Sequence, residues 1–310
     1  MPALRIALPP SPGAEASGPH LQAALRHLRA AEVEIQSVLL EEPAVRALSQ
    51  SLCDIAVVPV AQLLRLDGEI VVAAVAQRGD PRDALALGHE PAERLAEQLR
   101  EHPETFEPRD LFAALPQGSR VGLAGDPSAA LLHRLRPDLV AEDCRGNLRA
   151  ALQALDDASL DAVVADAWSF DELGLGQRVH RYLSAPWLAA PGQGALALLA
   201  RAGDEAAILA TRAIEHRGSR LEVETEMAVA GMLGLSAANV VRARASREGN
   251  RLGLEAMLLA GDGSWAVRSQ RQAEATRSGC VRLARRVARD LLDRAQRVSD
   301  AKVPDPEQLN

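Results

Sequence analysis

The feature that most constrains this chain is a series of short apolar runs set apart by stretches with helical spacing. Asp54 to Val60 (DIAVVPV) and Ile70 to Val75 (IVVAAV) are dominated by small and β-branched apolar residues, the pattern of strands buried on both faces. Leu4 to Leu8 is another such run, stopped by Pro9 and Pro10, and Val33 to Val38 alternates. Between them, His20 to Ala31 carries apolar residues at helical spacing. Strand, helix and strand in that order require a parallel sheet with crossovers packed on its faces. A second unit of the same kind follows, with a strand at Arg120 to Leu123, helices at Ser128 to Leu135 and Asn147 to Asp156, and a strand at Asp161 to Ala165. Ala195 to Leu199 is a further buried strand.

Between the two units, Gly88 to Ala114 is rich in Glu and Arg and reads as an inserted helix, Pro91 to Arg100, plus a linker. After Glu205 the character changes: a helix, strands at Val240 to Ala245 and Gly253 to Leu259, and an Arg-rich amphipathic helix from Cys280 to Ala295. The domains expected are 1–88 with 192–204, the insertion 89–115, 116–190, 205–298, and a polar tail 299–310 that frays. No internal repeat is visible.

Composition narrows the function classes. Aromatic residues are only 2% of the chain and the net charge is −7. Stacking platforms and basic patches for nucleic acid are therefore not expected. The three cysteines, Cys53, Cys144 and Cys280, are far apart, without the CxxC spacing of a zinc site. The histidines show no HxxxH or HExxH pattern, so no metal is expected. MPALRIALPPSPG has no basic segment leading into an apolar one, and no apolar run approaches the roughly 20 residues of a membrane span. The expectation is a reduced, cytoplasmic protein with no membrane partner.

Specific motifs add to this pattern. They are RGDPRDAL at Arg78 to Leu85, LPQGSRVG from Leu115, LRPDL from Leu135, Arg145-Gly146-Asn147, LDAVVADAWSFDELGL ending at Leu175, and PGQGA at Pro191 to Ala195. In order and spacing the chain resembles the hydroxymethylbilane synthase (porphobilinogen deaminase) family, which reads DPRDAL, LPxGxxVG, RPDL, RGN, YDAIILAxAGLxRLGL and GQGA. The resemblance implies two α/β domains of the type II periplasmic-binding-protein kind and a smaller α/β C-terminal domain. It also implies an activity that joins porphobilinogen units to a dipyrromethane primer held on a cysteine thioether, in a cleft lined with arginines that pair with carboxylates.

Position by position, this chain departs from that machinery. The family's HSxKD turn aligns with Val58 to Gln62, so that Gln62 replaces an aspartate that stabilises pyrrolic cations and manages protons. GTRxS aligns with Ala7 to Ser11, placing Pro9 at a cleft arginine. TSSLRR aligns with Leu123 to Ser128, which loses both arginines at Pro127 and Ser128 and gains Asp126. RGNVxTR keeps Arg145, Gly146 and Asn147 but has Ala151 for its second arginine, and the arginine of GLxRLGL is Glu172. ERAFLxxLxGGC aligns with Glu226 to Ala237, so the primer cysteine becomes Ala237. The family's long segment before the HSxKD turn is mostly missing, with only Leu39 to Leu52 in its place.

These departures predict a family-like protein without catalytic residues and without dipyrromethane. Its cleft would hold another small ligand, or its surface a protein partner. A divergent hydroxymethylbilane synthase and an enzyme of other chemistry in the same cleft are the alternatives. The candidate ligand contacts are Ser11, Gln62, Asp126, Arg145, Gly146, Asn147 and Gln193. For Asn147 the competing role is a helix cap, and for Gln193 a glycine-rich turn. Arg78 to Leu85 reads as a hinge held by Asp–Arg pairing. Arg145 beside Cys144 could lower the thiol pKa, against the alternative of a small buried thiol in a strand. In the Arg-rich C-terminal helix, Asp290 and Asp293 interleave the arginines, the pattern of a solvated face.

Overall fold

The computed structural model describes residues 4–8, 22–23, 25–26, 35–38, 44–63, 68–101, 112–124, 129–144, 146–234 and 239–302. The first sheet holds β1 (Leu4–Ala7), β2 (Ile35–Val38), β3 (Ile55–Pro59), β4 (Ile70–Val75) and β10 (Leu196–Arg201), in the order β2-β1-β3-β10-β4. β2 and β3 run parallel to β1, whereas β10 lies antiparallel between β3 and β4. The second sheet repeats the plan with β5 (Asp83–Leu87), β6 (Arg120–Leu123), β7 (Val140–Asp143), β8 (Ala162–Asp166) and β9 (Arg181–Tyr182), in the order β7-β6-β8-β5-β9. Here β5 is antiparallel to both neighbours. In each sheet the strand after β3 or β8 in spatial order is thus the one delivered by a crossing between domains.

This topology moves the expected boundaries. β4 ends in the first sheet at Val75 and β5 begins in the second at Asp83, so the outward crossing is 76–82, inside the stretch 1–88 expected for the first domain. The run DALAL is buried throughout, and an apolar run carries no mark of which sheet will pair with it. Helix α2 (His89–Glu101) belongs to the second domain, not to a linker, because Ala92 and Leu95 pack with Leu85 and Leu87. The return crossing is 183–195. The first domain also extends further, since Ala207 and Ile214 join Ile6, Ile55 and Leu198 in its core.

The remaining helices are α1 (Ala44–Ser49), α3 (Ala129–Leu135), α4 (Leu148–Asp156), α5 (Ala167–Glu172), α6 (Glu205–Thr211), α7 (Arg217–Leu233) and α8 (Arg277–Lys302). The third domain lays α7 and α8 on an antiparallel sheet of β11 (Asn239–Glu248), β12 (Arg251–Ala260) and β13 (Ala266–Glu274). β13 is missed by pattern reading because AVRSQRQAE is mostly polar.

The third domain braces both others. Val223 of α7 packs with Val60 and Ala197 of the first domain, and Met257 and Leu259 of β12 pack with Leu131, Leu132 and Trp187 of the second. At the turn after β12, Gly263 has φ +74°, and a Cβ there would lie 2.4 Å from the Ala130 carbonyl oxygen of α3. Only glycine meets both demands. Among the described residues no helix is long and apolar enough to cross a membrane.

Candidate functional site

In open α/β sheets the ligand crevice lies beyond the carboxyl ends of the parallel strands, where the chain switches direction. Here the ends of β3 and β8 both run into the crossing strands. The Val60 N–H donates to the Ala195 carbonyl at 2.9 Å, the Ala167 N–H to that of Arg82 at 2.9 Å, and the Gly79 N–H to that of Gly194 at 2.8 Å. The turn Val60–Gln62, the crossings and the start of α5 therefore share one junction. β7, parallel to β6, delivers Asp143, Cys144, Gly146 and Asn147 to the same edge of the second sheet.

The junction holds a buried polar cluster. Arg78 makes a bidentate pair with Glu226, Nη1 to Oε1 at 2.7 Å and Nη2 to Oε2 at 2.9 Å. Its Nε donates to the Gln193 carbonyl at 2.9 Å. Glu226 is fully buried and also accepts from the backbone N–H groups of Gly192 and Ala245, each at 2.7 Å. One carboxylate thus joins the outward crossing, the return crossing and the third domain. Asp83, also buried, accepts from Trp187 Nε1 at 2.6 Å and Gln193 Nε2 at 2.8 Å. Burial pushes its carboxyl up to about 6, against the pull of nearby Arg242 and of these two hydrogen bonds. The expected Asp–Arg hinge pairing is present: Arg82 Nη2 lies 2.5 Å from Asp80 Oδ2, and its guanidinium stacks over Tyr182.

The expected site residues divide into those the junction uses and those it does not. Gln193 is buried, and its amide is engaged by Asp83, by the Pro81 carbonyl at 3.0 Å and by the Ala190 N–H at 3.3 Å, as part of the turn that the sequence also offered for it. Asn147 caps α4, its Oδ1 accepting from the Ala150 N–H at 2.9 Å. Gly146 has φ +79°, a conformation that favours glycine. Asn147 also lines an open cavity of about 520 Å³ with Asp143, Cys144, Ala150, Ala151 and Ala154. The Cys144 thiol there is pushed up by burial and by the carboxylates of Asp143 and Glu142, the reverse of an activated thiol. Gln62 ends the 3₁₀ turn after β3. Ser11, Asp126 and Arg145 lie outside the described residues, as do Pro9, Pro127, Ser128 and Ala237.

Sequence reading missed Asp83, Trp187 and the role of Glu226. A signal for Glu226 was available: it stands on the apolar face of α7, between Val223 and Val229, where an acid must find partners. Asp166 gave a weaker one. It caps α5 through the Ser169 N–H at 2.8 Å and places an acid at the end of the apolar run of β8.

The family model described as "Porphobilinogen deaminase, dipyromethane cofactor binding domain" matches residues 31–209. A porphobilinogen deaminase of Xanthomonas oryzae pv. oryzae (strain PXO99A) is 35% identical over 236 residues, covering 74% of this chain and 69% of that protein. The chain belongs to the porphobilinogen deaminase family. A porphobilinogen deaminase of Roseiflexus sp. (strain RS-1) is 32% identical over 233 residues, covering 75% of this chain and 70% of that protein. Among solved structures, a periplasmic substrate-binding protein of an ABC transporter from Coxiella burnetii superposes with a TM-score of 0.43 at 13% identity. That match covers 68% of this chain and 91% of the other, too distant to bear on function.

Within this family the dipyrromethane primer needs a thiol that reaches the cleft. Cys53 and Cys280 are 0% and 3% exposed in the cores of the first and third domains, and the partly exposed Cys144 is held toward its protonated form. The residues present therefore do not fit that group.

Proposed function

We propose that this member of the porphobilinogen deaminase family does not build a tetrapyrrole. Its interdomain cleft holds instead a small neutral or cationic molecule, or a monoanion held by Arg145. The observation that carries this reading is the thiol inventory. Alanine stands at the anchor position, two of the three thiols are buried, and the third is biased against ionisation. The charge pattern agrees with it. Where the family brings arginines and an acid–base aspartate, the chain brings Gln62, Ala151 and Glu172. Asp143 and Asp166 stand at the same carboxyl ends, so a polycarboxylate would meet acids there.

Intact-mass measurement of the purified protein, with Ehrlich's reagent as a second readout, tests the proposal. The expected mass is that of the polypeptide alone, with no chromophore and no porphobilinogen binding in calorimetry. A mass increment of two pyrrole rings mapped to Cys144 would overturn it. That result would favour the second reading, a divergent deaminase, for which the identity to the Xanthomonas protein speaks.

A further inference from the structure

The C-terminal helix α8 carries a feature that the cleft does not use. Its inner face, Leu283, Ala284, Val287, Ala288 and Leu291, is buried against the third-domain sheet. On the outer face Arg282, Arg285, Arg286 and Arg289 fall at i, i+3, i+4 and i+7, all exposed. That spacing stacks four guanidinium groups on one side of the helix over roughly 10 Å. None of the four makes an ion pair with a described residue, whereas Arg5, Arg78, Arg82, Arg136, Arg201 and Arg220 all do.

Of the two interleaved acids, Asp293 is exposed one turn beyond Arg289 and makes no ion pair with a described residue. Asp290 is engaged elsewhere, by Arg294 at 2.9 Å, Arg271 at 3.1 Å and Ser269 at 2.6 Å. Like charges at i+3 and i+4 destabilise a helix, and here they recur in a chain whose net charge is −7. Local stability is given up on a surface where no described carboxylate pairs with the four arginines, which points to an external anion. Val281 and Leu292 bracket the stripe on the same side, 45% and 47% exposed.

The bracket selects among anionic partners. A membrane surface wants a free apolar helix face to insert, and that face of α8 is already spent on its own sheet. Single-stranded nucleic acid wants aromatic platforms, and α8 contains no aromatic residue. A protein segment with carboxylates one helical turn apart and an apolar side chain at either end matches both the arginines and the bracket. We infer that the outer face of α8, centred on Arg282, Arg285, Arg286 and Arg289, docks an acidic segment of a partner protein. The inference is independent of the cleft reading.

The test is fluorescence polarisation on the full chain. The probe is a labelled helical peptide with glutamates at i, i+3, i+4 and i+7 and leucine at both ends. The expected result is binding that weakens as salt rises. It should fall at least about tenfold in a variant combining R282E, R285E, R286E and R289E, and also in one combining V281S and L292S. All six side chains are exposed, so both variants should keep the wild-type circular dichroism and melting temperature. No peptide binding would overturn the inference, as would binding unchanged in the charge-reversed variant. Equal affinity for phosphatidylserine vesicles or single-stranded DNA would also overturn it, because the face would then be a general polyanion surface.

Discussion

Glu226→Leu removes a carboxylate shared by both crossings and the third domain, and its cost can be worked from the contacts. The substitution leaves the Arg78 guanidinium, whose side chain is 5% exposed, with only the Gln193 carbonyl and the longer contact to Glu222 at 3.8 Å. Removing one partner of a buried pair costs about 3–5 kcal/mol. It also leaves the N–H groups of Gly192 and Ala245 without their acceptor, at about 1–3 kcal/mol each. Against a total stability of about 5–15 kcal/mol, Glu226→Leu alone is expected to lose at least about 5 kcal/mol. Adding Arg78→Leu removes the stranded charge but not the stranded N–H groups. The double variant should therefore be more stable than Glu226→Leu by about 2–3 kcal/mol, a second substitution that rescues the first. Urea unfolding followed by tryptophan fluorescence reads this directly, because Trp187 sits in the same junction through Asp83. If Arg78→Leu lowers the stability of the Glu226→Leu protein further, the pair is not coupled as described.

Two further outcomes follow from the same junction and its brace. Asp83 is held at about 6 against an ordinary 3.8, so the folded protein binds its proton more readily than the unfolded chain does. That contribution is full below pH 3.8 and is lost as pH rises through about 6, a decline of about 3 kcal/mol. Asp83→Asn should remove this part of the slope, measured as unfolding free energy against pH; an unchanged slope would refute the assignment. Gly263→Ala forces a side chain onto the Ala130 carbonyl at a left-handed position and should cost about 2–3 kcal/mol. A loss below about 0.5 kcal/mol in thermal denaturation would show that the turn does not bear on α3.

Much of the architecture was written in local pattern. The β-branched runs at 54–60 and 70–75 and the Asn147 cap fold as their spacing requires, because strand and helix periodicities are set by the residues themselves. The Arg-rich helix forms where expected but runs from Arg277 to Lys302, past the expected 280–295 and into the stretch read as a tail. The family, too, was legible from six motifs in register.

Tertiary structure decided the rest. Nothing in DALAL distinguishes a fifth strand of the first sheet from an antiparallel strand of the second; its partners, Ala162–Asp166 and Arg181–Tyr182, come from far along the chain. For Gln193 the sequence offered a ligand contact or a glycine-rich turn, and nothing in it named Asp83, 110 residues away in sequence, as the partner of its amide. For Cys144 the sequence set activation by Arg145 against an inert buried thiol, and in the fold burial and the carboxylates of Asp143 and Glu142 push its pKa up. Glu226 shows its purpose only when Arg78, Gly192 and Ala245 converge on it. Periodicity is a property of neighbours along the chain, whereas burial and charge pairing belong to neighbours in space.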